Sequence, residues 1–267
     1  MAFSIKNALF NDIMEVIELF GLKFTSAEFD EIVSEIIQRN FLDERKIPFL
    51  ITPNADQVVK YDRNPKLKDF YSQSYFILPD GFPIVLFSKM IGKPLLRKLS
   101  GSDFFPIFWN SLGRLDKVFV IAPSTIVVEG LKLCQHHAEF YVPGYLRAES
   151  ISDFETEADK ISKHILALSP DYILIGLGFP KQELLGKLIY ERLKPFKINP
   201  LFMLLGASFE FYLGIKKRAP RWMQKSGLEW VHRFYSEPTR LFKRYTIGNL
   251  RFLFFCLREF YLQRKSA

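Results

Sequence analysis

The chain lacks several features that would assign it to common protein classes. Its 267 residues include only two cysteines, Cys134 and Cys256, which form neither a disulfide framework nor a metal-ligand spacing. No apolar run approaches the roughly 18 residues that cross a bilayer. The N-terminus also has no long apolar segment of the kind found in signal peptides. The sequence therefore predicts a protein of a reducing compartment, made and kept in the cytoplasm.

Motifs for several kinds of catalysis are absent as well. The four histidines show no metal-ligand spacing, and there is no Asp-x-Asp pair to hold a divalent ion on a diphosphate. No Gly-x-Ser-x-Gly nucleophile elbow occurs, and no recognised nucleic-acid-binding motif is found. The sequence thus predicts no metal site.

Positive charge is concentrated at the C-terminal end of the chain. From Gly214 to Ala267, 13 Lys or Arg residues stand against three acids, while the whole chain carries +8. Eleven aromatic residues lie among those charges. This distribution indicates chemistry in the body and contact with something anionic through the tail. We therefore divide the chain into a catalytic core, residues 1–213, and a basic helical appendage, residues 214–267.

Short apolar runs alternate with amphipathic stretches along the body. The runs predict strands because each is rich in aliphatic or aromatic residues and is followed by turn residues. They are Ile47–Ile51, Tyr75–Leu78, Lys117–Ala122, Glu139–Val142, Tyr172–Gly176 and Leu201–Leu205. Helical patterns occupy Ser26–Gln38, Pro83–Ile91, Asp103–Leu112, Thr125–Cys134, Asp153–Leu168 and Gln182–Leu193. Met14–Phe24, around Gly21, predicts a hairpin or strand. The alternation predicts an α/β fold with a mostly parallel sheet flanked by helices.

The final helical pattern has two interpretations. Apolar residues recur at helical spacing, and basic residues recur every seven positions beside them. The apolar set is Leu250, Leu253, Phe254 and Leu257, and the basic set is Arg244, Arg251, Arg258 and Lys265. This pattern is typical of a helix that lies in a membrane interface. A helix docked on the body with a solvated basic edge would show it too.

Polar residues follow the predicted strands. In parallel α/β sheets, ligands bind beyond the carboxyl ends of the strands. Asp80, flanked by apolar residues, is a candidate general base there, because partial desolvation raises the pKa of a carboxyl group. Asp80-Gly81 also fits an ordinary turn. Gly176 to Pro180 opens a predicted helix, whose free N–H groups at Gly178 would suit phosphate. Gln182 and Glu183 fit the first turn of that helix equally well.

Several of these segments together resemble the WecG/TagA/CpsF family of bacterial glycosyltransferases. The resemblance spans roughly Ile47 to the C-terminus. It rests on Thr52-Pro53-Asn54, Leu78-Pro79-Asp80-Gly81, Gly101-Ser102-Asp103 and Gly178-Phe-Pro-Lys-Gln182-Glu183. Its most specific stretch runs from Arg218 to Trp230 and on through Arg233, Glu237-Pro238, Arg240-Leu241 and Lys243-Arg244-Tyr245.

The resemblance implies a Rossmann-like core with a C-terminal helical appendage that closes the site and meets the membrane. The implied reaction is inverting transfer of a sugar from a UDP-sugar to a polyprenyl-diphosphate-linked saccharide, with no metal and no cofactor. It belongs to cell wall, capsule or exopolysaccharide synthesis. The enzyme would be peripheral on the cytoplasmic face of an anionic membrane. The sequence is also compatible with a homo-oligomer.

The resemblance also implies roles for individual residues. Asp80 would be the general base, Thr52 and Asn54 would orient the sugars, and Gln182 would bind donor or acceptor near the reacting centre. Further substrate-binding residues would be Gly81, Asp103, Gly178, Lys181, Glu183, Glu210, Arg218, Arg221 and Arg233. Membrane contacts would be Arg240, Arg244, Arg251 and Arg258.

The chain departs from the family pattern at three points. Ala122-Pro123-Ser124 replaces a usual Gly-Gly turn, Glu210 replaces a usual Asp, and Leu205 replaces a small residue. These departures bear on donor binding and leave the transferred sugar undetermined. Two other functions stay open on sequence grounds. One is a nucleic-acid-binding protein that uses the basic, aromatic tail, and the other is a catalytically silent scaffold for polysaccharide assembly.

Overall fold

The computed structural model of the chain describes residues 14–38, 46–134, 137–220, 222–223, 231 and 249–266. An N-terminal antiparallel hairpin consists of β1 (Val16–Leu19) and β2 (Leu22–Thr25). The strands of the central sheet are β3 (Ile47–Ile51), β4 (Ser74–Ile77), β5 (Val118–Ile121), β6 (Ala138–Tyr141), β7 (Tyr172–Ile175) and β8 (Leu201–Leu204). All six strands of this sheet were predicted, and the hairpin is one of the two forms predicted for Met14–Phe24.

Ten α-helices are assigned within the described residues. They are α1 (Phe29–Ile37), α2 (Ala55–Asp62), α3 (Pro65–Gln73), α4 (Phe82–Met90), α5 (Gly101–Ser111), α6 (Thr125–Lys132), α7 (Ile151–Leu168), α8 (Lys181–Leu193), α9 (Ser208–Tyr212) and α10 (Asn249–Ser266). The six helical patterns predicted in the body are confirmed with small shifts at their ends. The helices α2, α3 and α9 were not predicted.

The sheet is parallel throughout and is covered on both faces. Its strand order is β4-β3-β8-β7-β5-β6. Every residue of β5, β7 and β8 is buried, which is the pattern of parallel strands packed on two sides. Phe119 and Ile121 face a layer that includes α2, α3, α7 and α8, while Val118 and Val120 face α1, α5, α6 and α9. The predicted α/β class is therefore confirmed.

The hairpin turn places an aromatic residue between two helices. Phe20 and Gly21 both have positive φ, 58° and 70°, as a two-residue hairpin turn requires. The ring of Phe20 stacks on Phe87 of α4 at 5.1 Å and on Phe255 of α10 at 5.0 Å. Phe20 thereby joins α4 to the C-terminal helix.

The connections define one functional edge of the sheet. Strand β5 connects to its neighbour β6 at one end of the sheet, whereas β7, the neighbour of β5 on the other side, connects to β8 in the opposite direction. The direction of the connections therefore reverses between β5 and β7. Ligands of open α/β sheets bind at such a reversal, beyond the carboxyl ends of the strands. The boundary predicted between residues 213 and 214 stays a prediction, because most of 221–248 lies outside the described residues.

Candidate active site

Backbone hydrogen bonds hold the Asp80 segment against the end of β3. The amide of Leu78 donates to the carbonyl of Ile51 at 2.9 Å, and the amide of Asp80 donates to the carbonyl of Pro53 at 3.1 Å. The amide of Leu99 donates to the carbonyl of Pro79 at 2.9 Å from the other side. Asp80 is therefore fixed, half-buried, at the corner where Thr52 and Asn54 leave β3.

Asn54 has a structural task at this corner. Its Oδ1 accepts hydrogen bonds from the amides of Asp56 and Gln57 at 3.1 and 3.2 Å, and Gln57 Oε1 accepts from the Asn54 amide at 3.0 Å. This reciprocal cap satisfies N–H groups that the first turn of α2 would otherwise leave unpaired. The side-chain oxygen of Asn54 is therefore engaged by the helix, and its role in orienting the sugars stays a prediction.

Thr52 connects this corner to the neighbouring strand β8. Its Oγ1 donates to the carbonyl of Leu204 at 3.4 Å. A Cβ added to Gly101 would lie 3.4 Å from Thr52 Oγ1 and only 3.0 Å from Ser208 Oγ. The missing side chain at Gly101 therefore lets the start of α5 close over the ends of β3 and β8.

A buried network extends this edge of the sheet to β7. Together, Asp80, Thr52, Gly206 and Gln182 form the strand-end rim. The Gly206 amide donates to Gln182 Oε1 at 2.9 Å, and Gln182 Nε2 donates to Glu183 Oε1 at 3.3 Å. The hydroxyl of Tyr71 donates to the same Glu183 oxygen at 2.9 Å. These contacts fix which end of the Gln182 carboxamide is the donor. Tyr71 was not among the predicted site residues, because α3 itself was not predicted.

Glu183 is buried beside Gln182, which is itself only 4% exposed. Glu183 is 2% exposed, and within the described structure its Oε2 has no hydrogen-bond partner. Burial raises the pKa of Glu183 to about 7, and the hydrogen bonds from Tyr71 and Gln182 only partly offset that effect. Glu183 was predicted to bind substrate, and this stays a prediction. In the structure its carboxyl group is buried and accepts a hydrogen bond from Gln182.

Arg218 joins the start of the C-terminal segment to α5. Its Nη1 donates to Asp103 Oδ1 at 2.8 Å, and the Asp103 carboxylate also accepts from Ser100. Burial opposes ionisation of Asp103, but the hydrogen bonds from Arg218 and Ser100 and the charges of Arg218 and Lys98 outweigh it, so the pKa of Asp103 is lowered. Arg218 Nε and Nη2 are buried and have no hydrogen-bond partner among the described residues. Such unsatisfied guanidinium donors are uncommon and suit phosphate oxygens.

Four other predicted residues lie around the same edge. Gly81 and Gly178 have φ of +130° and +73°, which side-chain-bearing residues rarely adopt. Among the described residues, a Cβ at Gly178 would meet nothing within 4 Å, so its backbone borders open space there. Lys181 Nζ lies 5.6 Å from the ring centroid of Tyr145. Glu210 forms an ion pair with Lys216 at 3.0 Å.

The C-terminal helix docks on the body by one face and exposes another. Phe252, Phe255 and Cys256 are buried, whereas Leu253, Phe254 and Leu257 are 57%, 70% and 57% exposed. The structure therefore shows a helix docked on the body, which was one of the two interpretations, while its contact with a membrane stays a prediction. Docking uses residues outside the predicted apolar set, and three members of that set face outward.

The predicted membrane-contact arginines fall into two groups. Arg251 is exposed, and Arg258 Nη2 lies 3.0 Å from both carboxylate oxygens of Asp62 in α2. Arg258 therefore forms an ion pair with the body of the protein. Arg240 and Arg244 lie outside the described residues, as do the predicted substrate-binding residues Arg221 and Arg233.

Two features are absent from the described part of the chain. No helix there has both the length and the apolar character needed to cross a membrane. In those same ranges no group of three or more His, Cys, Asp or Glu side chains is arranged to hold a metal ion.

The fold and this rim together define an α/β enzyme whose polar site lies at the carboxyl ends of β4, β3, β8 and β7. The family model described as "Glycosyl transferase WecG/TagA/CpsF family" matches residues 17–266, and the chain belongs to that family. It is accordingly a glycosyltransferase, as its sequence motifs predicted.

Curated relatives share about a quarter of their residues with the chain over most of its length. A protein of Bacillus spizizenii is 29% identical over 221 residues, which is 82% of each chain. One of Bacillus subtilis is 27% identical over 77% of this chain and 78% of its own length. One of Staphylococcus aureus is 26% identical over 81% and 83%. Each is named N-acetylglucosaminyldiphosphoundecaprenol N-acetyl-beta-D-mannosaminyltransferase.

Proposed function

We propose that this glycosyltransferase moves a sugar from a UDP-sugar to a polyprenyl-diphosphate-linked acceptor, with Asp80 as the general base and without a metal. The observation that carries the proposal is the linked rim, in which Asp80 and Thr52 follow the adjacent strands β4 and β3, and Gln182 of α8 accepts a hydrogen bond from Gly206 at the end of β8. The relatives' names supply the acceptor class, a sugar on diphosphoundecaprenol, and the sugar class, an N-acetylhexosamine.

The reaction is a single displacement at the anomeric carbon. The Asp80 carboxylate takes the proton of an acceptor hydroxyl while that oxygen bonds to the anomeric carbon of the donor. The bond from this carbon to the UDP oxygen breaks on the opposite side, and its electron pair leaves with UDP. The configuration is therefore inverted. General-base assistance of this kind typically contributes about 10²–10⁴-fold in rate.

Gln182 suits the orientation of a sugar because its amide is already fixed. Its oxygen accepts from Gly206 and one Nε2 hydrogen points to Glu183. The second Nε2 hydrogen is the donor that we assign to the donor or acceptor sugar. Preorganised donors cost little reorganisation when charge develops during the reaction.

Arg218 suits the charge of a diphosphate. Its ion pair with Asp103 holds the guanidinium in place, and its buried Nε and Nη2 groups retain hydrogens to donate. Paired donors of this type bind phosphate oxygens bidentately. The open backbone at Gly178 lies at the end of β7, beside the reversal in strand order. We assign the nucleotide diphosphate to that side and the acceptor hydroxyl to Asp80.

The enzyme would act as a peripheral protein at the cytoplasmic membrane surface, where a polyprenyl-linked acceptor resides. The exposed apolar flank of α10 and the exposed Arg251 support this placement, because amphipathic helices bind anionic lipid through both features. The nucleotide-sugar donor, the membrane surface and a homo-oligomer are parts of this proposal.

A turnover screen tests the proposal. Purified protein is incubated with UDP-sugars, UDP-N-acetylmannosamine first, and with N-acetylglucosaminyl-diphosphate-polyprenol, with and without a chelator. We expect one UDP-sugar to be consumed, a product of inverted configuration, and no effect of the chelator. Loss of turnover on chelation would overturn the metal-free mechanism. UDP-sugar binding without turnover of any acceptor would favour the silent scaffold.

A further inference from the structure

Helix α4 exposes a row of large apolar side chains to solvent. Phe82, Leu86 and Met90 are 45%, 45% and 72% exposed. Their spacing of four residues places them along one side of the helix, over about 12 Å. The opposite side of α4 is buried through Ile84 and Val85, so this row is not needed for the core. Exposed rows of this kind usually mark a binding surface.

The row begins at the proposed catalytic base. Phe82 is the first residue of α4 and follows Asp80 by two positions. Gly81, with φ +130°, makes the turn between the strand end and the helix, and Pro83 occupies the first helical turn. An apolar group that leaves the site at Asp80 therefore meets Phe82 first and then Leu86.

The far end of the row adjoins the C-terminal helix. Phe87, in the last turns of α4, stacks on Phe20, and Phe20 stacks in turn on Phe255 of α10. The two helices are thus neighbours across one ring, and both have exposed apolar side chains. Lys89 and Lys93 are exposed at this end of α4, which suits the anionic surface of a membrane.

We propose that the row Phe82, Leu86 and Met90 binds the polyprenyl chain of the acceptor and leads it from Asp80 toward α10. This rests on the proposed function. A polyprenyl chain is the occupant that the geometry favours, because it is covalently joined to the group that must reach Asp80 and is apolar along its whole length. A protein partner would have no reason to begin its contact at the catalytic base. Contact with the row removes apolar surface from water on both sides.

Kinetics with two acceptors test this assignment. Leu86→Ser and Met90→Ser, alone and together, are compared with Leu115→Ser, which changes a residue 93% exposed in the loop after α5. Each protein is assayed in detergent with N-acetylglucosaminyl diphosphate on a polyprenyl chain and on a short alkyl chain. We expect the double variant to raise KM about tenfold for the polyprenyl acceptor only, with kcat unchanged and the control at wild-type values. An equal rise for both acceptors, or no rise, would overturn the proposal.

Direct binding separates this proposal from the proposed reaction. Undecaprenyl diphosphate and inorganic diphosphate are titrated onto each protein and followed by intrinsic fluorescence. Weaker binding of the lipid, with unchanged binding of diphosphate, supports the row even if no sugar is transferred. Wild-type binding of the lipid by the double variant overturns it. Loss of vesicle binding alone, with acceptor KM unchanged, would make the row a membrane contact and also overturn it. Unchanged thermal midpoints verify that each variant is folded.

Discussion

The strand-end rim and the C-terminal helix are held in place by different forces. The rim is linked strand to strand by directional hydrogen bonds, from Asp80 to Pro53, from Thr52 to Leu204 and from Gly206 to Gln182. Helix α10 is held by ring packing around Phe20 and by the Arg258–Asp62 ion pair. Hydrogen bonds fix side-chain positions narrowly, whereas apolar packing has little directional preference.

This difference matches different tasks. The proposed proton abstraction and sugar orientation would need atoms held within about 0.5 Å, which directional hydrogen bonds like those of the rim favour. Contact with a fluid lipid surface needs apolar area and positive charge but no exact register, and the outer flank of α10 provides those. The two regions should therefore be separable, so that damage to one leaves the other intact. Substitutions in each of the two regions test that separation.

The largest effect is expected at the rim, from Asp80→Asn. The amide has nearly the shape of the carboxylate but cannot take a proton from the acceptor hydroxyl. Initial-rate assays should show turnover lowered by about 10²–10⁴-fold, while the thermal midpoint and vesicle binding remain at wild-type values. Asp69→Asn, at an exposed position of α3, is the matched control and should be fully active. Wild-type turnover in Asp80→Asn would remove this residue from the mechanism.

The strands of the rim were predictable from sequence because they are buried on both faces. Apolar runs followed by turn residues marked these four strands, and also β5 and the less buried edge strand β6. The strand ends then predicted Asp80, Thr52 and Gln182 on one edge. The helices α2 and α3 were missed because their apolar positions are few. Because α3 was missed, Tyr71 was missed as well. Its hydrogen-bond partner, Glu183, is 112 positions away in the chain. No local pattern reports a contact of that kind.

The docking face of α10 was not predictable for a different reason. Its described residues are apolar or aromatic on more than one side, so periodicity alone could not choose between Leu253 and Phe255 as the buried residue. Phe20, the ring that decides the choice, lies at the other end of the chain. The exposed flank was identified correctly as apolar, but the residues that pack on the body were not those in the predicted set.

The second prediction concerns the buried support of the rim, through Glu183→Gln. Since burial raises the pKa of Glu183 from 4.5 to about 7, the folded protein keeps a proton that the unfolded chain loses in that interval. The resulting stabilisation is full below about pH 4.5 and is lost as the pH rises through about 7. Between pH 5 and 8, the free energy of unfolding of the wild type should fall by roughly 2–3 kcal/mol more than that of Glu183→Gln.

Denaturant titrations at several pH values measure this difference. Glu191→Gln is the matched control, because Glu191 lies on the same helix but is exposed beside Lys194. It should keep the wild-type pH dependence. If Glu183→Gln also keeps the wild-type pH dependence, Glu183 is ionised over the whole interval from pH 5 to 8. The fall in the free energy of unfolding would then not come from its buried carboxyl group.

The third prediction concerns the docking of α10, through Phe255→Ala. This change removes a ring 7% exposed and its stack on Phe20, which together should weaken docking by about 2 kcal/mol. Hydrogen exchange should become faster in α10 while the strands of the sheet stay protected. Phe254→Ala changes the neighbouring ring, which is 70% exposed, and should leave exchange unchanged but weaken vesicle binding. Equal exchange in both variants would show that α10 does not dock through Phe255.

The smallest effect is expected for Arg258→Gln, which removes the ion pair with Asp62 on the surface of the docked helix. Both side chains are partly in water, and exposed pairs of this kind typically contribute about 0.2–1 kcal/mol. The loss should shrink further as salt is added, because ions screen the attraction. Arg251→Gln, one heptad earlier on the same helix, should not change stability, yet both variants should reduce binding to anionic vesicles. A loss of stability in Arg258→Gln well above 1 kcal/mol that persists at high salt would mean that directional polar contacts hold α10 as they hold the rim.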